Sequence, residues 1–222
     1  MNKIKNISII GANGRTGIEI VKQALDRGIA VKALVRDKQK IQISNSLLEI
    51  IEGTPTNLED VTKAISGVDA VFIALNISRK SDFPWSKVVT PTTLFSASME
   101  NIVLAMKENG VQRVITVSAW GVGDSYKEVN WIFRFLINKT NVGTAYMGHE
   151  DQEQILINSE LEWTAVRPVG LTSDGNSKPT RVSINRNKKL KMSISRKDVA
   201  RFMLDIMENE VYYRTSPSIS NE

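Results

Sequence analysis

The 222-residue chain reads as an α/β protein: a doubly wound, mostly parallel sheet with helices on both faces. Short apolar runs alternate with segments of helical periodicity along the chain, which implies crossover connections and a parallel sheet. Those runs are continuous in Val, Ile, Phe and Leu rather than alternating with polar residues, as strands covered on both faces require. The first run also passes directly into a glycine-spaced turn and then a helix.

Taken in order, Asn6 to Ile10 is a short buried strand, and after Gly14 the residues Ile18, Val21 and Leu25 share one helical face until Gly28 stops it. "AVKALVR", Ala30 to Arg36, is the second strand and Leu47 to Ile51 the third. "LEDVTKAISG" is a short helix, followed by "DAVFIAL", Asp69 to Leu75, as a fully apolar fourth strand. A long helix follows Pro91 and ends at Gly110; "RVITVSA", Arg113 to Ala119, is strand five. A helix from about Gly143 to Asn158 leads to "LEWTAVRP", Leu161 to Pro168, as strand six. Thr172 to Lys191 is irregular, rich in Ser, Asn and Lys, and is expected to cover a binding crevice before a last helix near Arg196. "NWIFRFLINKT", Asn130 to Thr140, reads as a loosely packed core helix, with a lid over a flat substrate or a subunit contact as alternatives. "RNKKLKM", Arg186 to Met192, reads as a solvated strand or hairpin. The chain is expected to be one domain over 1–222, with a crevice formed by loops 76–92, 119–142 and 169–195.

Composition narrows the function. There is no cysteine, which excludes disulfides, thiolate metal sites and cysteine nucleophiles, and the single histidine, His149, argues against a zinc enzyme, so no metal is expected. The net charge of +5 suits an anionic ligand. No helix-turn-helix or aromatic-basic interleaving accompanies it, so no nucleic acid is expected. No signal-peptide pattern or long apolar run occurs, so the expected location is cytoplasmic, away from membranes, as a monomer or homodimer.

"GANGRTG" spaces its glycines as Gly11, Gly14 and Gly17. In a strand-to-helix turn Gly11 permits the tight exit from the strand, Gly14 lets phosphates approach main-chain amides, and Gly17 lets the helix lie close on the sheet. Asn13, Arg15 and Thr16 would line the phosphates, at a helix N-terminus whose free N–H groups favour an anion. No Gly-Lys-Ser/Thr follows, so the turn is not a P-loop. A dinucleotide fits this pattern. Arg36, ending strand two in "ALVRD", stands where a cation would hold a ribose 2'-phosphate, which favours NADP(H) over NAD(H), although Asp37 beside it leaves NAD(H) possible.

"GANGRTG", "VRD", "VSAWG" and "HEDQEQILINSELEWTAVRP" together resemble the atypical short-chain dehydrogenase/reductases of the flavin reductase/biliverdin reductase B and NmrA-like group, from about Lys3 to Met207. The resemblance implies a Rossmann-like domain. It also implies the tyrosine of ordinary members at Ala145 and their lysine at His149. No tyrosine here is followed four residues later by lysine: those positions hold Asn130, Glu150, Ser216 and Pro217. Tyr146 is adjacent, but one helical step turns a side chain about 100° away. The resemblance places Ser118 beside the nicotinamide, hydrogen-bonding its carboxamide or the acceptor, unless the hydroxyl merely satisfies the strand end. His149 would stack on or bond the substrate, or donate a proton near neutral pH. Leu75 and Asn76 would flank the riboses, and Pro168, Val169, Gly170 and Leu171 would pass the nicotinamide. Val169 and Gly170 stand where the subgroup tends to carry a second histidine, which weakens biliverdin as the substrate.

Two functions remain open. One is an NADPH-dependent oxidoreductase of flavin, quinone or a related planar acceptor, which takes hydride without a dedicated acid. The other is an NmrA-like sensor that binds NADP(H) without turnover.

Overall fold

In the computed structural model, residues 3–173, 175, 177–184 and 187–222 are described. The opening strand β1 (Asn6–Ile10) lies between β2 (Ala30–Val35) and β4 (Ala70–Ile73), parallel to both. Beyond β2 comes β3 (Leu48–Glu52), and beyond β4 come β5 (Arg113–Val117) and β6 (Glu162–Pro168), all parallel. The order β3-β2-β1-β4-β5-β6 is that of a Rossmann-like sheet, whose direction of winding reverses between β1 and β4.

Each strand feeds two cores because successive side chains point to opposite faces. Ile7, Ile9, Ala70, Phe72 and Ile115 pack with helices α1 (Gly17–Asp26) and α6 (Arg196–Asp205). Ile10, Val71, Ile73 and Val114 pack with α2 (Leu58–Ile65), α3 (Leu94–Glu108) and the C-terminal end of α5 (Val142–Ile157). The helix ends follow local chemistry. Gly28, at φ +72°, closes α1, with Ile29 N–H reaching Ala24 O at 3.0 Å. Asn57 accepts from Asp60 N–H at 3.1 Å to open α2.

Three expectations are corrected. Asn130 to Thr140 holds helix α4 (Trp131–Lys139), but none of its residues is buried, and Trp131, Ile132 and Phe135 face solvent. It rides on α5 and touches the core only through half-buried Phe133 and Ile137. Residues 187–192 form no strand or hairpin; they turn between β8 (Thr180–Ser183) and β9 (Ser193–Ser195), pinned by Lys188 N–H on Ser183 Oγ at 3.2 Å and Lys191 N–H on Ser220 Oγ at 3.1 Å. Asp174, Asn176, Asn185 and Arg186, which belong to these expected segments, lie outside the described residues. Thirdly, the C-terminus adds a strand the sequence did not announce. β10 (Ser218–Asn221) pairs parallel with β6 and antiparallel with β8, while β7 (Gly170–Thr172) pairs with β9 in a separate small sheet.

Candidate functional site

The site begins at the glycine turn. Gly11 sits at φ +84°, and a Cβ there would come 2.8 Å from Ala74 O. A Cβ on Gly17 would fall 2.2 Å from Gly11 O, so only a bare backbone lets α1 start against the turn. Gly14 N–H returns to Gly11 O at 3.0 Å, and Ile18 N–H and Ile20 N–H reach back to Gly14 O and Thr16 O at 2.9 and 3.1 Å. The N–H groups of Asn13, Arg15 and Thr16 meet no acceptor among the described residues, and the Thr16 hydroxyl makes no capping bond. Unspent donors at a helix N-terminus favour an anion. The pyrophosphate of a dinucleotide fits this cradle.

From the turn a cavity of about 1230 Å³ runs along the C-terminal ends of the parallel strands. That is where open α/β sheets hold ligands, and its volume exceeds the usual range for one small molecule. Gly11, Asn13, Gly14, Arg15 and Thr16 line it, whereas Gly17 stands behind them. Arg36, Thr54 and Pro55 line the end nearest β2 and β3; Leu75 and Asn76 line the middle; Ser118, Trp120 and Pro168 to Leu171 line the β5 and β6 end. Arg36 is exposed and has no ion-pair partner among the described residues. Asp37 does not line the cavity, because its carboxylate accepts from Gln39 N–H at 3.0 Å and caps a turn. Of the described residues of the loop 169–195, only Val169, Gly170, Leu171 and Ser173 line the cavity, so those from Ser177 to Lys191 do not cover it.

At the β5 end Ser118 is 3% exposed and donates to Glu153 Oε1 at 2.5 Å. Glu153 is gripped by Arg167, Nε to Oε1 at 3.0 Å and Nη2 to Oε2 at 2.6 Å, and Arg167 reaches Asp124 at 2.5 Å. The Ser118 proton is thus committed to a carboxylate, and the hydroxyl does not have it to give to an acceptor. His149 lines the cavity with its ring 4.6 Å from that of Phe95, and its Nδ1 is buried without a partner. Burial pushes its pKa down to about 4, which disfavours the charged ring near neutral pH.

The sequence reading missed three features. Tyr146 does line the cavity, because it lies three residues before His149 and such pairs share a helix face. Its hydroxyl donates to Trp120 O at 3.2 Å, and burial pushes its pKa up to about 12. Glu153 was legible in principle: Ala145, His149 and Glu153 follow one another at four-residue spacing on α5. Arg79, Asp82 and Arg196 also line the cavity mouth, where Arg15 and Asp82 approach to 3.6 Å. Desolvation and the nearby Arg15 charge lower the Arg196 pKa. No local pattern announces that convergence.

A family model described as NAD(P)H-binding matches residues 11–210. An uncharacterised chloroplastic protein of Arabidopsis thaliana is 29% identical over 177 residues, covering 78% of this chain and 61% of the plant protein; the chain therefore spans less than two thirds of that relative. Among solved structures, a short-chain dehydrogenase/reductase from Veillonella parvula in complex with NADP superposes with a TM-score of 0.78 at 21% identity, over 99% of this chain and 95% of that one. An anaerobillin reductase from Escherichia coli O157:H7 gives a TM-score of 0.78 at 16% identity over 97% of each chain. These likenesses establish the fold. No helix among the described residues is long and apolar enough to cross a membrane.

Proposed function

The chain belongs to the NAD(P)H-binding family, and from that premise we propose that it is an NADPH-dependent reductase that passes hydride to a planar, electron-poor acceptor such as a flavin or quinone. One observation carries the reading. A single continuous cavity joins the anion-ready glycine turn and Arg36 to a compartment lined by Trp120, Phe133, Tyr146, Leu94 and His149. Reduced nicotinamide would supply the hydride when bound. The amides of Asn13, Arg15 and Thr16 would hold the pyrophosphate, and Arg36, with Asp37 turned aside, would hold a 2'-phosphate. That assignment agrees with the NADP found in the similarly folded Veillonella protein.

The compartment's chemistry favours an acceptor that needs no protein acid. His149 is neutral at pH 7 and Tyr146 keeps its proton up to about pH 12, so neither is matched to general acid catalysis near neutrality. The aromatic walls would hold a flat ring against the nicotinamide and exclude water, which is positioning rather than proton transfer. The reductase name of the similarly folded E. coli protein points the same way. The test is to incubate the purified protein with NADPH and a flavin, quinone or dichlorophenolindophenol and follow loss of the reduced nicotinamide absorbance. Turnover above the uncatalysed rate is expected. Tight NADP(H) binding with no turnover on any of these acceptors would replace the reductase with an NADP(H)-binding sensor.

A further inference from the structure

Behind the cleft wall at the end of β5 lies a buried polar chain that hydride transfer does not by itself require. Glu153 is 2% exposed and does not line the cavity, yet it receives the Ser118 hydroxyl at 2.5 Å, both arms of the Arg167 guanidinium, and the Ser216 hydroxyl at 3.2 Å. Packing does not call for such a group, since a buried ion pair is often replaceable by apolar residues at no loss of stability. What it does control is the direction of one hydroxyl. A serine has a single O–H and two lone pairs, and an ionised carboxylate accepts only. The Ser118 proton therefore points at Glu153, and the lone pairs are what remain for the cleft that Ser118 lines.

We infer that Glu153, clamped by Arg167, fixes Ser118 as a hydrogen-bond acceptor toward the cleft, so that the ligand group meeting it is an N–H donor, namely the carboxamide amine of the nicotinamide. Glu153 is then a positioning residue that acts through Ser118. The inference rests on the proposed seating of a nicotinamide at the β5 end. It decides between the two roles open to Ser118, because a hydroxyl whose proton is held behind the wall does not donate to the substrate. It also sets how the ring is turned, with its carboxamide amine toward β5.

The test compares NADP+ with its 3-acetylpyridine analogue, in which a methyl group replaces the carboxamide amine while the carbonyl oxygen is kept, by calorimetric titration. Wild-type protein is expected to bind NADP+ roughly three- to tenfold more tightly than the analogue, the worth of one net hydrogen bond. Ser118→Ala should bring that ratio close to one. The double variant Glu153→Leu/Arg167→Met should do the same, because it removes the carboxylate behind the wall together with the charge it pairs, and the hydroxyl, with no acceptor there, is freed to donate to the carbonyl that both ligands share. If that variant does not fold, Glu153→Leu alone, in which Arg167 keeps Asp124, takes its place. A ratio that survives in these variants while NADP+ still binds would overturn the inference. Failure of the wild type to bind either dinucleotide is a different result, and overturns the proposed function beneath it.

Discussion

Single side chains at the two ends of the cleft carry the sharpest expectations. Arg36 is exposed, lines the cavity and has its neighbour Asp37 diverted to a turn, so its charge is available to an anionic ligand. A charge-assisted hydrogen bond is worth about 1.5 to 3 kcal/mol, so Arg36→Glu is expected to weaken NADPH binding by roughly tenfold to hundredfold and NADH binding far less. Equal weakening of the two in a fluorescence titration would remove the 2'-phosphate assignment. His149 makes a prediction about pH. Its pKa is about 4 in the folded protein against an ordinary value of 6.5, so the unfolded chain takes up a proton first as pH falls. Stability is therefore unaffected above pH 6.5 and declines between there and pH 4, at a slope approaching about 1.4 kcal/mol per pH unit. Urea midpoints measured from pH 7 to 5 should fall in the wild type and fall less in His149→Gln; parallel slopes would mean that the ring is not sequestered. Keeping the window above pH 5 separates this effect from carboxylates such as Asp198. Burial pushes that carboxyl's pKa up, but hydrogen bonds from Ser195, Asn221 and Lys178 and the Arg201 charge hold it below the ordinary value overall.

At the level of elements, the turn between β1 and α1 depends on contact rather than on backbone freedom alone. Gly17 has no unusual φ, but a Cβ there collides with Gly11 O, whereas Gly67, at φ +71°, has open space around it. Gly17→Ala should cost about 1 to 3 kcal/mol through overpacking and weaken dinucleotide binding, because relief of the clash moves the amides of Asn13, Arg15 and Thr16. Gly67→Ala should cost stability through left-handed strain and leave binding intact. Thermal melts with calorimetry separate the two, and an undisturbed affinity in Gly17→Ala would show that the turn does not position the ligand. This element was legible in the sequence because glycine spacing reports a local backbone requirement. The helix α4 was legible, but its depth was not: of the aromatic residues Trp131, Phe133 and Phe135 that suggested packing, Phe133 is half-buried with Ile137 against the core, and the rest of the helix lies outside. Tyr146 was discounted on a one-residue rotation, although the cleft follows α5 through positions 142, 145, 146 and 149 and so wraps more than one line of the helix.

Across the whole molecule, the strands read correctly were those whose apolar runs face two cores, and of the four short ones overlooked, β7 to β10, the last is polar. "SISN" in β10 offers a single large apolar side chain, Ile219, yet all four residues are buried. Polar residues are tolerated there because their groups are spoken for at long range: Lys191 N–H on Ser220 Oγ at 3.1 Å, Ser195 N–H on Asn221 Oδ1 at 3.0 Å, and Asn221 Nδ2 on Asp198 Oδ2 at 2.8 Å. No window of sequence contains both halves of those pairs. Asn221 thus links the last strand to the start of α6, where Asp198 also receives Ser195 Oγ at 2.7 Å and Arg201 at 2.6 Å. Asn221→Ala would leave the buried Ser195 N–H without its acceptor and remove one donor from Asp198, costing about 1 to 3 kcal/mol, or a melting temperature lower by roughly 2 to 4 °C per kcal/mol in a chain of this size. Asn221 does not line the cavity, so the melting temperature should fall while affinity for NADP(H) changes little. Loss of both together would mean that the C-terminal strand also sets the cleft wall, through the Val169 N–H that bonds Ile219 O at 3.1 Å; an unchanged melting temperature would mean that β10 is held by its strand pairing with β6 and β8 alone.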